Sequence, residues 1–240
     1  MDGQFRCLWL VNIEIVLVLV FVCQNEFRLL LIFLFNETIN LIINQGDMLE
    51  NLNKYNIILA SASPRRRELL RQIGLSFSIK TCKCIDESYP DGLGGEDIAK
   101  YISSKKANFY LQQLSYDDLM ITADTIVYAD GRIYGKPIDR NDALNMLKSL
   151  SGRSHKVITG VTIATKEKCE TFSVCSNVTF SELSEAEITY YVDTYNPMDK
   201  AGAYGIQEWI GMVGIKHLDG CFFNVMGLPL HTLYQYLKKF

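Results

Sequence analysis

The chain has 240 residues, 48% of them hydrophobic and 21% charged, with 24 Lys+Arg against 27 Asp+Glu. Residues 1–47 hold two basic and five acidic side chains, leaving 22 of each sign in the remainder. So balanced a body has no excess charge for wrapping nucleic acid, and any anion site must be local. Three histidines without an H-E-x-x-H arrangement argue against a histidine-rich zinc site, and seven scattered cysteines without a C-x-x-C pair give no disulfide framework, which makes a reducing cytoplasm the simplest setting.

Residues 1–47 carry two apolar runs, Leu8 to Cys23 and Leu29 to Phe35, the first broken by Asn12 and Glu14. Neither offers the roughly 20 uninterrupted apolar residues of a membrane-spanning helix, and no small-x-small cleavage site follows. The expectation is an apolar leader outside a functional domain that begins at or near Met48 and runs to Phe240, with a membrane anchor as the rival reading of the leader.

From Met48 onward strand and helix alternate. Asn56–Ser61 is a short β-branched run that stops at small hydroxyl residues, and Ser63-Pro64 then provides an N-cap and a first-turn proline for a helix. Arg65, Arg66 and Arg67 fall in that first turn, where the macrodipole disfavours cations, so an anion is expected to dock there between helix amides and guanidinium donors. Leu75–Thr81 reads as a second strand and Cys84–Gly95 as a loop. Glu96–Leu114 has helical spacing, Leu119–Val127 is a buried strand, and Gly131 to Pro137 is a sharp turn. Asp139 caps a helix to Leu150, Lys156–Thr165 and Thr171–Phe180 are long strands, and Ser184 caps a helix that ends before Asn196-Pro197. Met212–Lys216 and Cys221–Val225 read as a hairpin about residues 217–220, and a last helix runs from Pro229 to Phe240. Helices interleaved with strands, then paired strands, predict one α/β domain with a mixed sheet.

Two carboxylates stand out, Glu87 in the loop I-D-E-S and Asp124 near the end of an otherwise apolar strand. A carboxylate there is costly unless it is paired or binds a metal. It can cap a turn or accept from a nearby arginine. Opposite a phosphate site it can instead hold Mg²⁺ or orient an attacking water. Lys136, in Gly135-Lys136-Pro137, and Arg153 and His155, in Ser151-Gly152-Arg153-Ser154-His155, sit on loops at strand ends, where α/β folds place ligand sites.

Eight ordered motifs, S-A-S-P-R-R, I-D-E, K-K-A, A-D-T-I-V, G-K-P, S-G-R-S-H-x-V-x-T-G, D-K-A-G-A-Y-G-I-Q and V-M-G-L-P, span nearly all of residues 57–229 and resemble those of the Maf family of nucleoside triphosphate pyrophosphatases. The resemblance implies a single elongated α/β domain, a mixed twisted sheet flanked by helices around a central cleft, of the Maf and inosine triphosphatase-like kind and often dimeric. It implies cleavage of a nucleoside triphosphate between the α- and β-phosphates, with a divalent metal (Mg²⁺, Mn²⁺ or Co²⁺). By position, Asp124 matches the family's catalytic aspartate and Glu87 the carboxylate of its I-D-E loop, the two together forming the metal site. Ser63, Arg66, Lys106 and Lys136 fall at its phosphate-binding positions. Residues 1–47 have no counterpart, and neither nucleic acid nor membrane is expected as a partner of residues 48–240.

Three positions sort the family's branches. Arg65, Thr125 and Gln207 match the dTTP/UTP branch, where a 7-methyl-GTP branch tends to carry Trp, Gln and Glu; a cationic methylated purine gains from an aromatic face and a carboxylate, a neutral pyrimidine from hydrogen-bond donors and acceptors. Glu208, where many members have glycine, and Trp209 are expected to bulk the rim of the base pocket. The functions that follow are hydrolysis of dTTP and UTP, serving removal of non-canonical nucleotides or restraint of cell division. The alternatives are the 7-methyl-GTP branch and a non-catalytic nucleotide sensor acting on septum formation.

Overall fold

The structure is a computed structural model that describes residues 47–82 and 85–240. The chain divides at Glu50/Asn51, and Asn51–Phe240 holds every element that builds the site. The expectations for the leader fall outside the described residues. Among the described residues no helix is long and apolar enough to cross a membrane.

The elements are β1 (Asn56–Leu59), α1 (Pro64–Gln72), β2 (Ser78–Ile79), α2 (Gly95–Leu111), β3 (Asp118–Ala129), β4 (Arg132–Tyr134), α3 (Arg140–Leu150), β5 (Ser154–Ala164), β6 (Cys169–Phe180), α4 (Glu185–Tyr195), α5 (Trp209–Gly214), β7 (Ile215–Asp219), α6 (Phe222–Met226) and α7 (Leu230–Leu237). The sheet runs β2-β1-β3-β5-β6-β7, with β4 paired to β3. β1 is parallel to β2 and β3, and the remaining pairings are antiparallel. A mixed sheet in an α/β domain is therefore what the chain forms.

Period-2 alternation on β3 and β5 divides the core. Ile126 and Ile158 meet Ile98 and Ile102 of α2, while their neighbours Val127 and Val157 join a larger cluster with Leu147 of α3 and Ile188 and Tyr191 of α4. α2 lies so close to β5 that a Cβ on Gly160 would stand 2.1 Å from the Ala99 carbonyl oxygen. Gly160 is also the partner of Asp124 across the β3–β5 ladder, so this close approach seats the helix that carries Lys106 beside that carboxylate. Gly160→Ala should lower stability by about 1 to 3 kcal/mol, because backbone rather than a movable side chain blocks the added methyl. Urea unfolding measures it, and an unchanged midpoint would mean that α2 can shift without loss.

Several sequence expectations are corrected. The strand expected over Leu75–Thr81 shrinks to Ser78–Ile79, and part of the Gly131–Pro137 turn is the short strand β4. The hairpin expected over residues 212–225 does not form: Trp209–Gly214 and Phe222–Met226 are helices, and only Ile215–Asp219 is a strand, paired with β6. The reason is tertiary, because Asn224 is fully buried and donates to the Val157 carbonyl and to Ser176 Oγ, contacts that a strand register at 221–225 was not built to make. Cys82 is disulfide-bonded, against the expectation from cysteine spacing, which says nothing about the Cα separation that permits such a bond.

Candidate active site

A cavity of about 510 Å³ opens along the ends of β1 and β3. Its lining includes Ser63, Arg65, Arg66, Glu87, Lys106, Asp124, Thr125, Lys136 and Gln207, the nine residues assigned a site role from the sequence, but neither Arg153 nor His155. The nine come from six segments spread over residues 63–207, and the sheet order is what gathers them.

The strand-to-helix corner forms as its local chemistry dictates. Ser63 is extended, its hydroxyl accepts from the Arg66 N–H, and Pro64 occupies the first turn. Of the three arginines that follow, two are engaged by acceptors distant in sequence. The Arg65 guanidinium donates to Asp199 Oδ2 at 2.7 Å. Arg66 donates through Nε to the Gly227 carbonyl at 2.7 Å, and through its terminal nitrogens to the Ala123 carbonyl at 2.8 Å, Thr125 Oγ1 at 2.9 Å and Ser61 Oγ at 3.4 Å. Burial pushes the Arg66 pKa down, opposed by the charge of Asp124. Arg66 thus pins α1 to β3 and to the V-M-G-L-P loop. The Thr125 hydroxyl belongs to the same chain of bonds, meeting Thr159 Oγ1 at 2.9 Å, whose hydroxyl meets the Asn224 carbonyl.

Lys106, on α2, is only 13% exposed and sits between two carboxylates, with Nζ 2.7 Å from Asp124 Oδ1 and 2.8 Å from Glu87 Oε1. Its neighbour Lys105 binds Asp86 Oδ2 at 3.0 Å and the Ser88 carbonyl at 2.9 Å. Adjacent lysines on one helix therefore grip the adjacent acids of the I-D-E loop, and this is what brings Glu87 to Asp124. Burial raises the Glu87 pKa, but the hydrogen bond and charge of Lys106, with Lys136 and Arg66 behind it, bring it below the ordinary glutamate value. Glu87 is consequently ionised at neutral pH.

Among the described residues no cluster of three or more His, Cys, Asp or Glu is placed to hold a metal. The donor set instead suits a hard cation that completes its shell with substrate oxygens and water, since both carboxylates converge on the same ammonium. The residues present fit a divalent ion of that kind, held by Asp124 and Glu87.

The lining also includes Asp199, Lys200, Tyr204, Gly205 and Gln207. Gln207 Oε1 is buried without a hydrogen-bond partner, an acceptor that the protein leaves unused. The expected bulky rim is absent: neither Glu208 nor Trp209 lines the cavity, because the Glu208 carboxylate turns to Lys200 and Tyr191 while Trp209 packs edge-on against Tyr190. Asp199 and Lys200 had no assigned role in the sequence reading, although the D-K pair heading D-K-A-G-A-Y-G-I-Q was visible there. His155 lies outside the cavity lining; its Nε2 meets Tyr204 Oη at 2.7 Å, and burial lowers its pKa to about 4, so it supports Tyr204 as a neutral ring.

The family described as Maf-like protein matches residues 56–240. A protein of Bacteroides fragilis named dTTP/UTP pyrophosphatase is 53% identical over 192 residues, covering 80% of this chain and 100% of that one. A protein of the same name from Bacteroides thetaiotaomicron is 54% identical over 192 residues with the same coverage. One from Christiangramia forsetii is 43% identical over 190 residues, covering 79% of this chain and 96% of that one. Among solved structures, the Ham1 protein of Staphylococcus aureus aligns over 77% of this chain and 98% of its own, at 12% identity and a TM-score of 0.42.

Proposed function

Because the chain belongs to the Maf-like protein family, we propose that it hydrolyses dTTP and UTP between the α- and β-phosphates, releasing the nucleoside monophosphate and pyrophosphate in the cytoplasm. The observation that carries this reading is the Asp124–Lys106–Glu87 cluster in a cavity that Gln207 also lines. A reacting phosphoanhydride and a base edge are the two things such a cavity can hold at once. Relatives that share the name dTTP/UTP pyrophosphatase at 53% and 54% identity support the choice of nucleotide.

Asp124 and Glu87 are the residues that would hold a divalent cation, which when bound supplies charge neutralisation of the triphosphate and a more acidic water. Asp124, the less exposed of the two carboxylates, orients the attacking water and accepts its hydrogen bond. Lys106 and Lys136 offset the negative charge that accumulates on the departing pyrophosphate, and Ser63 at the head of α1 faces the same space. In the same cavity, Gln207 reads the base. The imide edge of uracil or thymine presents an N–H between two carbonyls, and a carboxamide, with an acceptor beside a donor, can meet the N–H and one carbonyl together.

The test is pyrophosphate release from a panel of canonical and modified triphosphates with Mg²⁺, Mn²⁺ and Co²⁺. We expect dTTP and UTP to be turned over faster than GTP, ATP and 7-methyl-GTP. A protein that binds triphosphate and releases no pyrophosphate with any metal would be a sensor, and this reading would be wrong. Gln207→Glu should lower pyrimidine turnover by roughly ten- to hundred-fold, since a lost base-edge bond costs about 1 to 3 kcal/mol. Equal rates for parent and variant would take Gln207 out of base recognition.

A further inference from the structure

A continuous polar chain runs from the cavity lining at Arg65, Asp199 and Lys200 to Glu208 and Tyr191 outside it. Arg65 pairs with Asp199 at 2.7 Å, Asp199 accepts from Lys200 Nζ at 2.8 Å, and Lys200 Nζ lies 3.1 Å from Glu208 Oε1. The other oxygen of Glu208 accepts from the Tyr191 hydroxyl, and Tyr191 Oη in turn accepts from the Gly205 N–H at 3.0 Å. Lys200 is buried, with 8% of its side chain exposed, so its ammonium depends on these two carboxylates. The Gly205 backbone is covered from the same side: a Cβ there would stand 2.9 Å from Gln207 Nε2 and 2.9 Å from Glu208 Cδ. Glu208 therefore grips both ends of the short segment, residues 200–208, on which Gln207 is mounted. Gln207 lines the cavity from this same segment.

We propose that Glu208 is a positioning residue for base recognition: by accepting from Tyr191 and pairing with Lys200 it fixes the Gly205–Gln207 wall, and so sets the affinity for the pyrimidine ring without touching the nucleotide. This rests on the reading of Gln207 as the base-contacting residue. The phosphate end has its own supports, in Arg66 on the Gly227 and Ala123 carbonyls and Lys106 on Asp124, none of which passes through Glu208. Loss of Glu208 should thus weaken the hold on the base and leave the hold on the phosphates.

Glu208→Gln keeps an acceptor for Tyr191 and removes the charge facing Lys200. Its KM for dTTP should rise about ten-fold while kcat changes by less than about threefold, the pattern of a lost binding contribution. Inorganic tripolyphosphate, which has no base, should inhibit parent and variant with constants within about twofold of each other. A dTTP KM equal to the parent's, or a proportional rise in the tripolyphosphate inhibition constant, overturns the proposal. Should Glu208→Gln fail to fold, Tyr191→Phe cuts the link to Gly205 without stranding a charge. It should show the same base-selective rise in KM, and an unaltered KM there overturns the proposal as well. A parent protein that releases no pyrophosphate from dTTP would instead sink the assigned activity, an outcome distinct from an active parent whose Glu208 variants match it.

Discussion

Asp124→Asn should retain the fold and much of the affinity for triphosphate while its turnover falls by about a hundred-fold or more. Asp124 lies in the middle of β3, in register with Gly160 of β5, so its backbone is held by the ladder whatever the side chain. Its carboxylate is 13% exposed and accepts from Lys106 at 2.7 Å. Asparagine keeps an oxygen for that ammonium and nearly the same volume, so folding should survive. What it loses is the charge that would hold a cation and the basicity that orients water, and both matter most in the transition state. The comparison needs nucleotide binding by calorimetry, pyrophosphate release at saturating metal, and a melting curve. A variant that hydrolyses dTTP at the parent rate removes Asp124 from the mechanism, and one that cannot fold makes its role structural.

Arg66→Ala should act chiefly on stability. From sequence, Arg66 is a phosphate contact whose loss raises KM. In the structure its guanidinium is shared among the Gly227 and Ala123 carbonyls and the hydroxyls of Thr125 and Ser61. Truncation strands those acceptors and opens the join between α1, β3 and the loop at Gly227, for which a loss of about 3 to 5 kcal/mol is the appropriate scale. In a domain of this size that corresponds to a melting temperature lower by roughly 10 °C. Arg66→Lys should recover little of it, because one ammonium cannot reach acceptors arranged for a planar fork. If the alanine variant melted with the parent and differed only in KM, the guanidinium would be free to leave these partners for phosphate in solution.

The two substitutions separate roles that share one cavity. Asp124 is placed by a regular ladder, whereas Arg66, in the first turn of α1, joins that helix to β3 and to Gly227 through its side chain. Lys106 links Asp124 to Glu87 of the I-D-E loop from a helix seated by Gly160.

Features settled within a few residues were fixed by sequence alone. Ser63, Asp139 and Ser184 cap the helices they were expected to cap, because a short side-chain oxygen beside free N–H groups needs no distant partner. The long strands β3, β5 and β6 were legible for a similar reason, since long β-branched runs are unambiguous, and a charge such as Asp124 among them demands an explanation. Short apolar stretches were not. Phe222–Met226 has the composition of a strand and is a helix, and what decides it is Asn224 bonding to Val157 and Ser176, 67 and 48 residues away. The first-turn arginines were read from the helix dipole as a call for an outside anion, yet Arg65 and Arg66 meet acceptors at Asp199 and Gly227, 134 and 161 residues on. From sequence Glu208 reads as a rim residue, whereas in the fold it turns towards Lys200 and Tyr191. Local pattern states which groups must be satisfied; only the folded chain determines what satisfies them, because a hydrogen bond depends on proximity in space and carries no trace in the spacing of the residues that make it.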